Sequence, residues 1–251
     1  LDGQGYRISC SDSLFEVLDH ATIKNIVVKG QLADTSRDSI LDGTGYYIEG
    51  DDVKQDHAVI MNSENTTIRN SFVMMNVEGR NVAGFVLAGS ADIKNSYVSG
   101  YLSGETVYGF GKDTDVENSY SSASLSGEKR TLFSEGKRTD CFYDAQINDL
   151  EDEDAQPYLT DEITSGALNN KAFTEKKGSY PQIKTETAWK EQAQKAADLS
   201  VVRVEAESNL SAMIDSVRAS EQKDNDIEWN RNLVRSINRS HEMNGELIAS
   251  A

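Results

Sequence analysis

DIKNSYVSGYLSG, at positions 92–104, is followed at positions 115–127 by DVENSYSSASLSG, in which the same residue types recur in the same order. Within each segment apolar or small residues alternate with polar ones. A period of two is typical of a half-buried strand rather than of a helix. Because the second segment follows the first so closely, the chain repeats a short unit made of strands.

An asparagine marks the centre of each copy of this unit. The aligned residues are Asn25, Asn70, Asn95 and Asn118, and Asp140 takes the same place in a degenerate fifth copy, TDCFYD. The later copies follow one another at nearly equal steps, whereas the step from Asn25 to Asn70 is about twice as long. An octet, LDGQGYRI at 1–8 and LDGTGYYI at 41–48, is also duplicated. We interpret the two octets as early turns of one winding.

A unit of about 23 residues cannot bury an apolar face alone, so successive units must stack on a shared core. The sequence therefore predicts an all-β fold, a right-handed parallel β-helix (solenoid) over residues 1–146, with coils roughly 4.8 Å apart. Residues 147–183 are predicted to form a cap and a closing strand. In this cap Thr160 is predicted to be the N-cap of a short helix that covers the open end of the stack.

Stacking gives the repeated residues structural roles. Asparagines at one point of consecutive coils can pass side-chain hydrogen bonds along the stack, so we interpret Asn25, Asn70, Asn95 and Asn118 as an internal ladder rather than a ligand site. The aromatic residues of the repeats are interpreted as a stacked row in the core rather than a sugar-binding platform. These residues are Phe72, Tyr97, Tyr120 and Phe142.

Several segments resemble one known family. NVAGFVLAG at 81–89 and VYGFG at 107–111 resemble the glycine-rich core of GLUG repeats, and SLFEVLDHATIKNIVVKGQL at 13–32 resembles the first coil of such arrays. DCFYDAQ, LTDEITSGALNN and GSYPQI resemble the way these arrays end. The glycine motif departs from its usual form, because GFVLAG carries an extra residue and the later copy RTLFSEG lacks the first glycine.

GLUG repeats occur in large bacterial surface proteins, including adhesins and the front portions of immunoglobulin A peptidase-like proteins. The resemblance covers roughly residues 9–183. It implies a non-catalytic, extracellular segment at the bacterial cell surface that spaces or presents a binding region. It implies no catalytic residues and no cofactor, and it implies a glycan or a host surface protein as the partner.

The composition agrees with a thin solenoid in a secreted protein. The chain has 42 acidic and 25 basic residues, a formal net charge of -17, and such a charge repels nucleic acid and anionic membranes. Its longest apolar stretches are only a few residues, too short to span a bilayer. Because the sequence begins in mid-motif at Leu1 without a methionine, we expect it to be part of a longer chain.

Lys24, Arg69 and Lys94 precede the aligned asparagines and form the candidate ligand-binding site. Alternation places their side chains on the outer face, opposite the asparagines. A basic stripe on so acidic a protein suggests an anionic ligand, since stacked like charges repel each other. The alternative is an ordinary solvated face in which each cation pairs with a nearby acid.

The alternative class is a polysaccharide-acting β-helix enzyme, a lyase or a glycoside hydrolase. Asp92 and Asp115 occupy one column on neighbouring coils, which is a possible spacing for two catalytic carboxylates. However, each lies just before a strand, where an aspartate that caps a turn is common. We therefore predict no catalytic residues.

Two surface segments and the two cysteines are the remaining candidates. EGDDVKQDH at 49–57 is interpreted as a surface insertion, with a binding loop as the alternative. The acidic run at 149–154 could gather around calcium but lacks the ligand spacing of a calcium loop, so we predict a solvated turn and no metal site. Cys10 and Cys141 lie several coils apart and are predicted to be free and buried.

Residues 184–251 are predicted to hold a linker and a C-terminal immunoglobulin-like module. The linker contains a polar helix at 188–198, followed by a strand at 199–206. Trp229 resembles the core tryptophan of bacterial immunoglobulin-like modules, although about 50 residues remain where a complete sandwich needs roughly 100. A helix at 209–220 is the competing prediction.

Overall fold

The computed structural model describes residues 1–148 and 150–184. They form a parallel β-solenoid of about six turns, followed by one short helix and a two-stranded antiparallel sheet. The all-β solenoid predicted from the repeats is thus confirmed. The helix, the strands and the immunoglobulin-like module predicted beyond position 184 lie outside the described residues.

Seventeen strands and one helix make up the described part of the chain. In chain order they are β1 (Arg7–Ser9), β2 (Phe15–Asp19), β3 (Thr22–Lys29), β4 (Ala33–Arg37), β5 (Ile40–Gly50), β6 (Ile60–Arg69), β7 (Phe72–Glu78), β8 (Asn81–Ala83), β9 (Val86–Lys94), β10 (Tyr97–Tyr108), β11 (Gly111–Glu117), β12 (Tyr120–Thr131), β13 (Arg138–Thr139), β14 (Cys141–Asp144), β15 (Ala155–Tyr158), α1 (Thr160–Ile163), β16 (Phe173–Lys176) and β17 (Ser179–Ile183).

The strands stack in parallel as three walls. The first wall contains β2, β4 and the opening parts of β6, β9 and β11. The second contains the opening parts of β3 and β5, the closing parts of β6, β9 and β11, and β13. The third contains β1, the closing parts of β3 and β5, and then β7, β10, β12, β14 and β15.

The core lies between the walls and is built from columns of aligned apolar residues. One column of the second wall contains Ile23, Leu41, Ile68, Ile93 and Val116, each at most 3% exposed. Burial of each such side chain stabilises the fold by about 1.5–3 kcal/mol. The residues that follow them in sequence point outward, which is the alternation of period two.

A second aromatic row lies inside the core, where the glycine-rich segments run. The rings of Phe85, Phe110 and Phe133 follow one another with centroid distances of 5.6 and 5.2 Å. All three rings are fully buried. The prediction from sequence contained only the other aromatic row, because these phenylalanines sit in the variable glycine motif.

Glycine precedes the first two of these phenylalanines because the next coil passes very close. A Cβ on Gly84 would lie 2.2 Å from the carbonyl oxygen of Gly109, and one on Gly109 would lie 1.9 Å from that of Leu132. In the third copy Leu132 replaces the glycine. Among the described strands none pairs with the closing part of β12 beyond this copy, which explains why a side chain fits there.

The asparagines lie at the corner between the second and third walls. Asn70, Asn95 and Asn118 have φ between 46 and 51°, a left-handed conformation that asparagine tolerates better than most residues. The side-chain amide of Asn95 donates to Asn70 at 3.3 Å, and that of Asn118 donates to Asn95 at 2.7 Å. The ladder is confirmed for these three residues, although they are half-buried at a corner rather than internal.

Asn25 is not part of that ladder, because a further coil lies between it and Asn70. In this coil Gly43 takes the corner place with φ of 63°, and the second octet forms the coil itself. Lys24 pairs in register with Asp42, and Asp42 in turn pairs with Arg69. The prediction of octets as turns of one winding is therefore confirmed, and the long step between the first two asparagines is two coils.

The predicted aromatic row is stacked, with Phe72, Tyr97, Tyr120 and Phe142 at centroid distances of 5.5, 4.9 and 5.2 Å. It projects outward from the third wall and is buried because the chain returns to cover it with Ile163, Phe173 and Ile183. The ring of Phe173 contacts both Tyr120 and Phe142 edge-on. A ring beyond the end of the row would contact only the last member, so the cap covers the flank of the solenoid here, and the expectation of an end cap is corrected.

The cap is tied to the last coils by polar contacts. Asp144 is fully buried, and its Oδ2 accepts hydrogen bonds from the hydroxyls of Thr160 at 2.7 Å and Tyr180 at 2.6 Å. Thr160 is thus the first residue of α1 rather than its cap, and the N-cap is Leu159, whose backbone N–H donates to Glu162. Burial, and secondarily the hydrogen bond to Asp144, raises the pKa of Tyr180 above its ordinary value.

Candidate functional site

The predicted site residues lie in one outward column of the second wall, but this column is not a run of like charges. We call it the charge column. In order along the axis it contains Asp2, Lys24, Asp42, Arg69, Lys94, Glu117 and Thr139. Asp42 separates Lys24 from Arg69, so the basic stripe is corrected to a column in which acids alternate with bases except at Arg69 and Lys94. Asp42 was missed in the alignment of the repeats because Gly43, not an asparagine, follows it.

Each predicted cation has a carboxylate partner in the column. Lys24 Nζ lies 3.7 Å from Asp2, Arg69 Nη2 lies 3.0 Å from Asp42, and Lys94 Nζ lies 2.7 Å from Glu117. The hydrogen bond from the ammonium to Glu117, and then the negative charge of that carboxylate, raises the pKa of Lys94. Exposed pairs of this kind contribute little to stability, so their main effect is to hold the side chains in place.

The ladder of Asn70, Asn95 and Asn118, which we call the corner ladder, begins at Asp42. Asp42 pairs with Arg69 through Oδ2 and accepts the side-chain amide of Asn70 through Oδ1 at 2.8 Å. Asp2 repeats the arrangement earlier in the winding, since its Oδ1 accepts from Asn25 at 3.2 Å and its Oδ2 faces Lys24. A backbone hydrogen bond from Gln4, followed by that from Asn25, lowers the pKa of Asp2. The Asp42–Arg69 pair and the asparagine ladder are therefore joined through the two oxygens of Asp42.

Arg69 and Lys94 are the one place in this column where two bases adjoin. They are direct neighbours in the parallel register, and their acidic partners lie on the two far sides. Both side chains are about half exposed, at 50% and 47%. An anionic group could bridge them from solvent, which makes this pair the part of the predicted site with suitable geometry.

Asp92 and Asp115 are neighbours in register on the outer face of the same wall, as the alternative function requires. Asp115 accepts the backbone N–H of Lys137, on the following coil, at 2.9 Å. Both residues are exposed. Asp92 lies inside β9 and Asp115 inside β11, so the expectation that each lies just before a strand is corrected. The register brings the two carboxylates within the distance of adjacent strands.

The acidic segment near the last coil is organised by an arginine. Arg138 lies 3.2 Å from Asp152 and 2.8 Å from Asp154, and its guanidinium also donates to the carbonyl oxygens of Ser134 and Gly136. The first acid of the run, at position 149, lies outside the described residues. Within the described ranges no cluster of three possible metal ligands occurs. The sequence does not connect Arg138 with this segment, because the two come together only when the chain winds into the solenoid.

Calcium is therefore not expected to stabilise the protein. Addition of millimolar calcium chloride should leave the midpoint of thermal unfolding unchanged, because Arg138 already pairs with Asp152 and Asp154, the carboxylates that an ion would need. Differential scanning fluorimetry with calcium and with EDTA checks this, and magnesium chloride at the same ionic strength is the control. A calcium-specific rise in the midpoint would contradict the assignment of Asp152 and Asp154 to Arg138.

Both cysteines are free, as predicted. Cys141 is buried, and this burial raises the pKa of its thiol to about 11. Cys10 is only half-buried, because it lies in the first coil, so the prediction of a buried residue is corrected there. Neither thiol is activated as a nucleophile, since reactive cysteines need a lowered pKa and the pKa of Cys10 is raised as well.

These features define a parallel β-solenoid whose outward polar columns are bonded along the axis. Comparisons with protein-family models, curated proteins and solved structures give no match. The similarity to GLUG repeats therefore depends on the motifs quoted above. In the described part of the chain, no helix is both long and apolar enough to cross a membrane.

Proposed function

We propose that this chain is a non-catalytic scaffold segment of a bacterial cell-surface protein, an adhesin or a protein of similar organisation. In this role it acts outside the cell, where it spaces or presents a binding region toward a glycan or a host surface protein. The observation that carries this proposal is the bonding of the repeated polar side chains to each other along the axis. The Asn70–Asn95–Asn118 ladder is the clearest case.

Side-chain ladders suit a spacer because they resist bending and sliding between coils. Six steps of the charge column, at about 4.8 Å each, correspond to a length of about 29 Å. Every step is held by parallel backbone pairing in the walls, and several are also held by a corner amide or an ion pair. A segment of this kind keeps whatever precedes it and follows it at a defined distance.

The resemblance to GLUG repeats and the strong negative charge support the extracellular location. A net charge of -17 keeps a secreted chain soluble and disfavours nucleic acid as a partner. The same charge disfavours broad, nonspecific binding of anionic ligands. Any anionic ligand would therefore need a local site.

The adjoining bases Arg69 and Lys94 are the proposed contact for a glycan, with Lys24 as an outlying member. A sulfate or carboxylate on the glycan would bind between the two side chains and compete with Asp42 and Glu117 for them. Because that competition weakens binding, an isolated segment is expected to bind anionic glycans only at millimolar to micromolar concentration, about -4 to -8 kcal/mol. Repetition of the segment on a cell surface would raise the avidity.

The polysaccharide-acting enzyme remains the second candidate, and one observation favours it. Asp92 and Asp115 adjoin on the outer face, at a strand spacing near the roughly 5 Å that separates the carboxylates of retaining glycosidases. Against it stands the hydrogen bond by which Asp115 already accepts the backbone N–H of Lys137. A catalytic acid also requires a raised pKa, for which burial is the usual cause, and both carboxylates are exposed.

One set of purified proteins, each with all 251 residues, separates the two functions. The wild type is applied to an array of sulfated and uronate-containing glycans beside Arg69→Gln/Lys94→Gln and beside Lys171→Gln/Lys176→Gln. The last variant removes the same charge from exposed lysines of the cap. We expect binding by the wild type and the cap variant, and at least about a ten-fold loss for Arg69→Gln/Lys94→Gln.

The same preparations, together with Asp92→Asn/Asp115→Asn, are incubated with a panel of acidic and neutral polysaccharides, and the products are measured as reducing ends and as unsaturated uronates. The scaffold function predicts no turnover by any of the proteins. Turnover that is present in the wild type and lost in Asp92→Asn/Asp115→Asn would overturn it in favour of the enzyme. Equal glycan binding by the wild type and Arg69→Gln/Lys94→Gln would remove the proposed contact.

A further inference from the structure

His57 lies at the end of the loop at 51–56, which is the surface insertion between β5 and β6. The backbone of His57 pairs in parallel with β8, because its N–H donates to the carbonyl of Asn81 at 3.0 Å and its carbonyl accepts from Ala83 at 2.9 Å. The backbone that carries the imidazole is therefore held in place, whereas the loop before it is exposed.

The imidazole lies between two glycines of neighbouring coils. A Cβ on Gly79 would lie 2.6 Å from its Cδ2, and one on Gly50 would lie 2.9 Å from its Cε1. The ring thus occupies a slot that exists because neither glycine has a side chain. Within the described part of the chain its Nε2 is buried and has no hydrogen-bond partner, which is tolerable for a neutral imidazole but costly for a charged one.

Two carboxylates act on the ring in this slot, and an arginine binds one of them. Asp52 and Asp56 come from the loop itself, and Arg80 comes from the turn after β7, whereas β5 and β8 face the ring with the uncharged Gly50 and Val82. Asp56 is already engaged, because it accepts two hydrogen bonds from the guanidinium of Arg80 at 3.0 and 2.8 Å. Arg80 also donates its backbone N–H to the carbonyl of Gln55 at 2.7 Å.

We propose that His57 is a pH-sensitive latch: the neutral ring in the glycine slot holds the loop at 51–56 against the solenoid, and protonation of the ring frees the loop. The freed loop carries Val53, an exposed apolar side chain, and Lys54. The device concerns the loop alone and does not depend on the scaffold function or on the Arg69–Lys94 contact.

The direction of the pH effect follows from the burial of the ring. Burial lowers the pKa of His57 below its ordinary value of 6.5, although Asp52 and Asp56 act in the opposite direction. The open state therefore binds more protons than the closed state below that value, so the closed loop is fully stable above about pH 6.5 and loses stability as the pH falls. The hydrogen bond from Arg80 lowers the pKa of Asp56 below 3.8, so this carboxylate stays charged throughout that range.

The test uses the chain of 251 residues labelled with ¹⁵N and ¹³C. Imidazole resonances are followed by NMR from about pH 7.5 to about pH 5, and hydrogen exchange is measured at the Gln55 and Arg80 amides, which donate to Asp52 and Gln55. Corrected for intrinsic rates, exchange at these amides should rise by up to about ten-fold for each pH unit between the two pKa values of His57. The Tyr97 and Tyr120 amides of the third wall serve as reference and should not change.

Two variants make the result specific. His57→Phe keeps an aromatic ring in the slot but cannot be protonated, so acid should no longer accelerate exchange at Arg80. His20→Asn is the matched control, because His20 is an exposed histidine with φ of 47° that asparagine can adopt, and it should behave as the wild type.

The latch would be overturned by acid-induced exchange that is the same in His57→Phe as in the wild type, or by exchange at Arg80 that does not depend on pH. If His57→Phe does not fold, the titration of the wild type decides. A His57 resonance that titrates at or above pH 6.5 would then overturn the proposal, whereas a lower midpoint that coincides with faster exchange at Gln55 and Arg80 would support it.

Discussion

Gly109→Ala is expected to destabilise the solenoid by about 3 kcal/mol or more, because the added Cβ would lie 1.9 Å from the carbonyl oxygen of Leu132. The two coils would have to separate at the point where Phe110 and Phe133 stack. For a chain of this size such a loss lowers the midpoint of thermal unfolding by about 6–12 °C. Circular dichroism of the purified 251-residue protein measures this shift.

Gly178→Ala is the matched control. Gly178 has φ of 80°, and a Cβ there would have no atom within 4 Å, so alanine meets backbone strain but no neighbouring coil. Its expected cost is about 1 kcal/mol. If Gly109→Ala unfolded at the same temperature as Gly178→Ala, close packing of the coils would not be the reason for glycine in this motif.

Asp144→Ala is the second change with a large expected effect. It removes the acceptor for Thr160, for Tyr180 and for the backbone N–H of Gln146 at 2.9 Å, and it leaves these donors without their partner at the junction of cap and solenoid. A loss of about 3 kcal/mol is expected. Detachment of the cap would expose the aromatic row that Phe173 and Ile183 cover.

Two measurements follow the cap and the solenoid separately in this variant. The near-ultraviolet signal of the tyrosines should be lost at a lower temperature than the far-ultraviolet signal of the strands, and a dye for exposed apolar surface should bind in between. Asp161→Ala is the control, since Asp161 is an exposed acid in the first turn of α1. Coincident loss of both signals in Asp144→Ala would show that cap and solenoid unfold as one unit.

The repeats could be recognised from sequence because each structural role recurs in one residue type. Asn70, Asn95 and Asn118 were placed in one ladder since each adopts the same left-handed corner. The asparagines alone do not show the coil between Asn25 and Asn70, because glycine meets the same conformational need without resembling asparagine. Gly43 takes the corner place of this coil with the same left-handed backbone and in register with Asn25.

That single misplacement explains the error at the candidate site. An alignment of the asparagines alone omits the coil of Gly43. It therefore omits Asp42 from the column and makes Lys24 and Arg69 direct neighbours, although Asp42 lies between them. The signal that could have found Asp42 was the octet itself, since Asp2 and Asp42 occupy the same place in LDGQGYRI and LDGTGYYI. The two carboxylates pair with cations in the same manner.

Contacts made by non-repeated segments could not be predicted from sequence. Nothing in the order of residues relates Arg138 to Asp152, or Asn170 to Asn118, whose side chains meet at 2.7 Å. For the same reason the cap was expected at the end of the stack, although its helix was correctly foreseen. Its position depends on outward aromatic residues, and period-two alternation does not distinguish the two faces of a strand.

The left-handed corners allow coils of different length to follow one another in the solenoid. The coil from Lys24 to Asp42 is much shorter than the coil from Asp42 to Arg69, yet both return to the same register at the corner. An insertion or deletion on one side of a coil therefore does not shift the coil after it. A change in the length of one coil is accommodated within that coil, and the order of residues along the charge column stays the same. Loops of new sequence could be added between corners of this protein without redesign of the layers above or below.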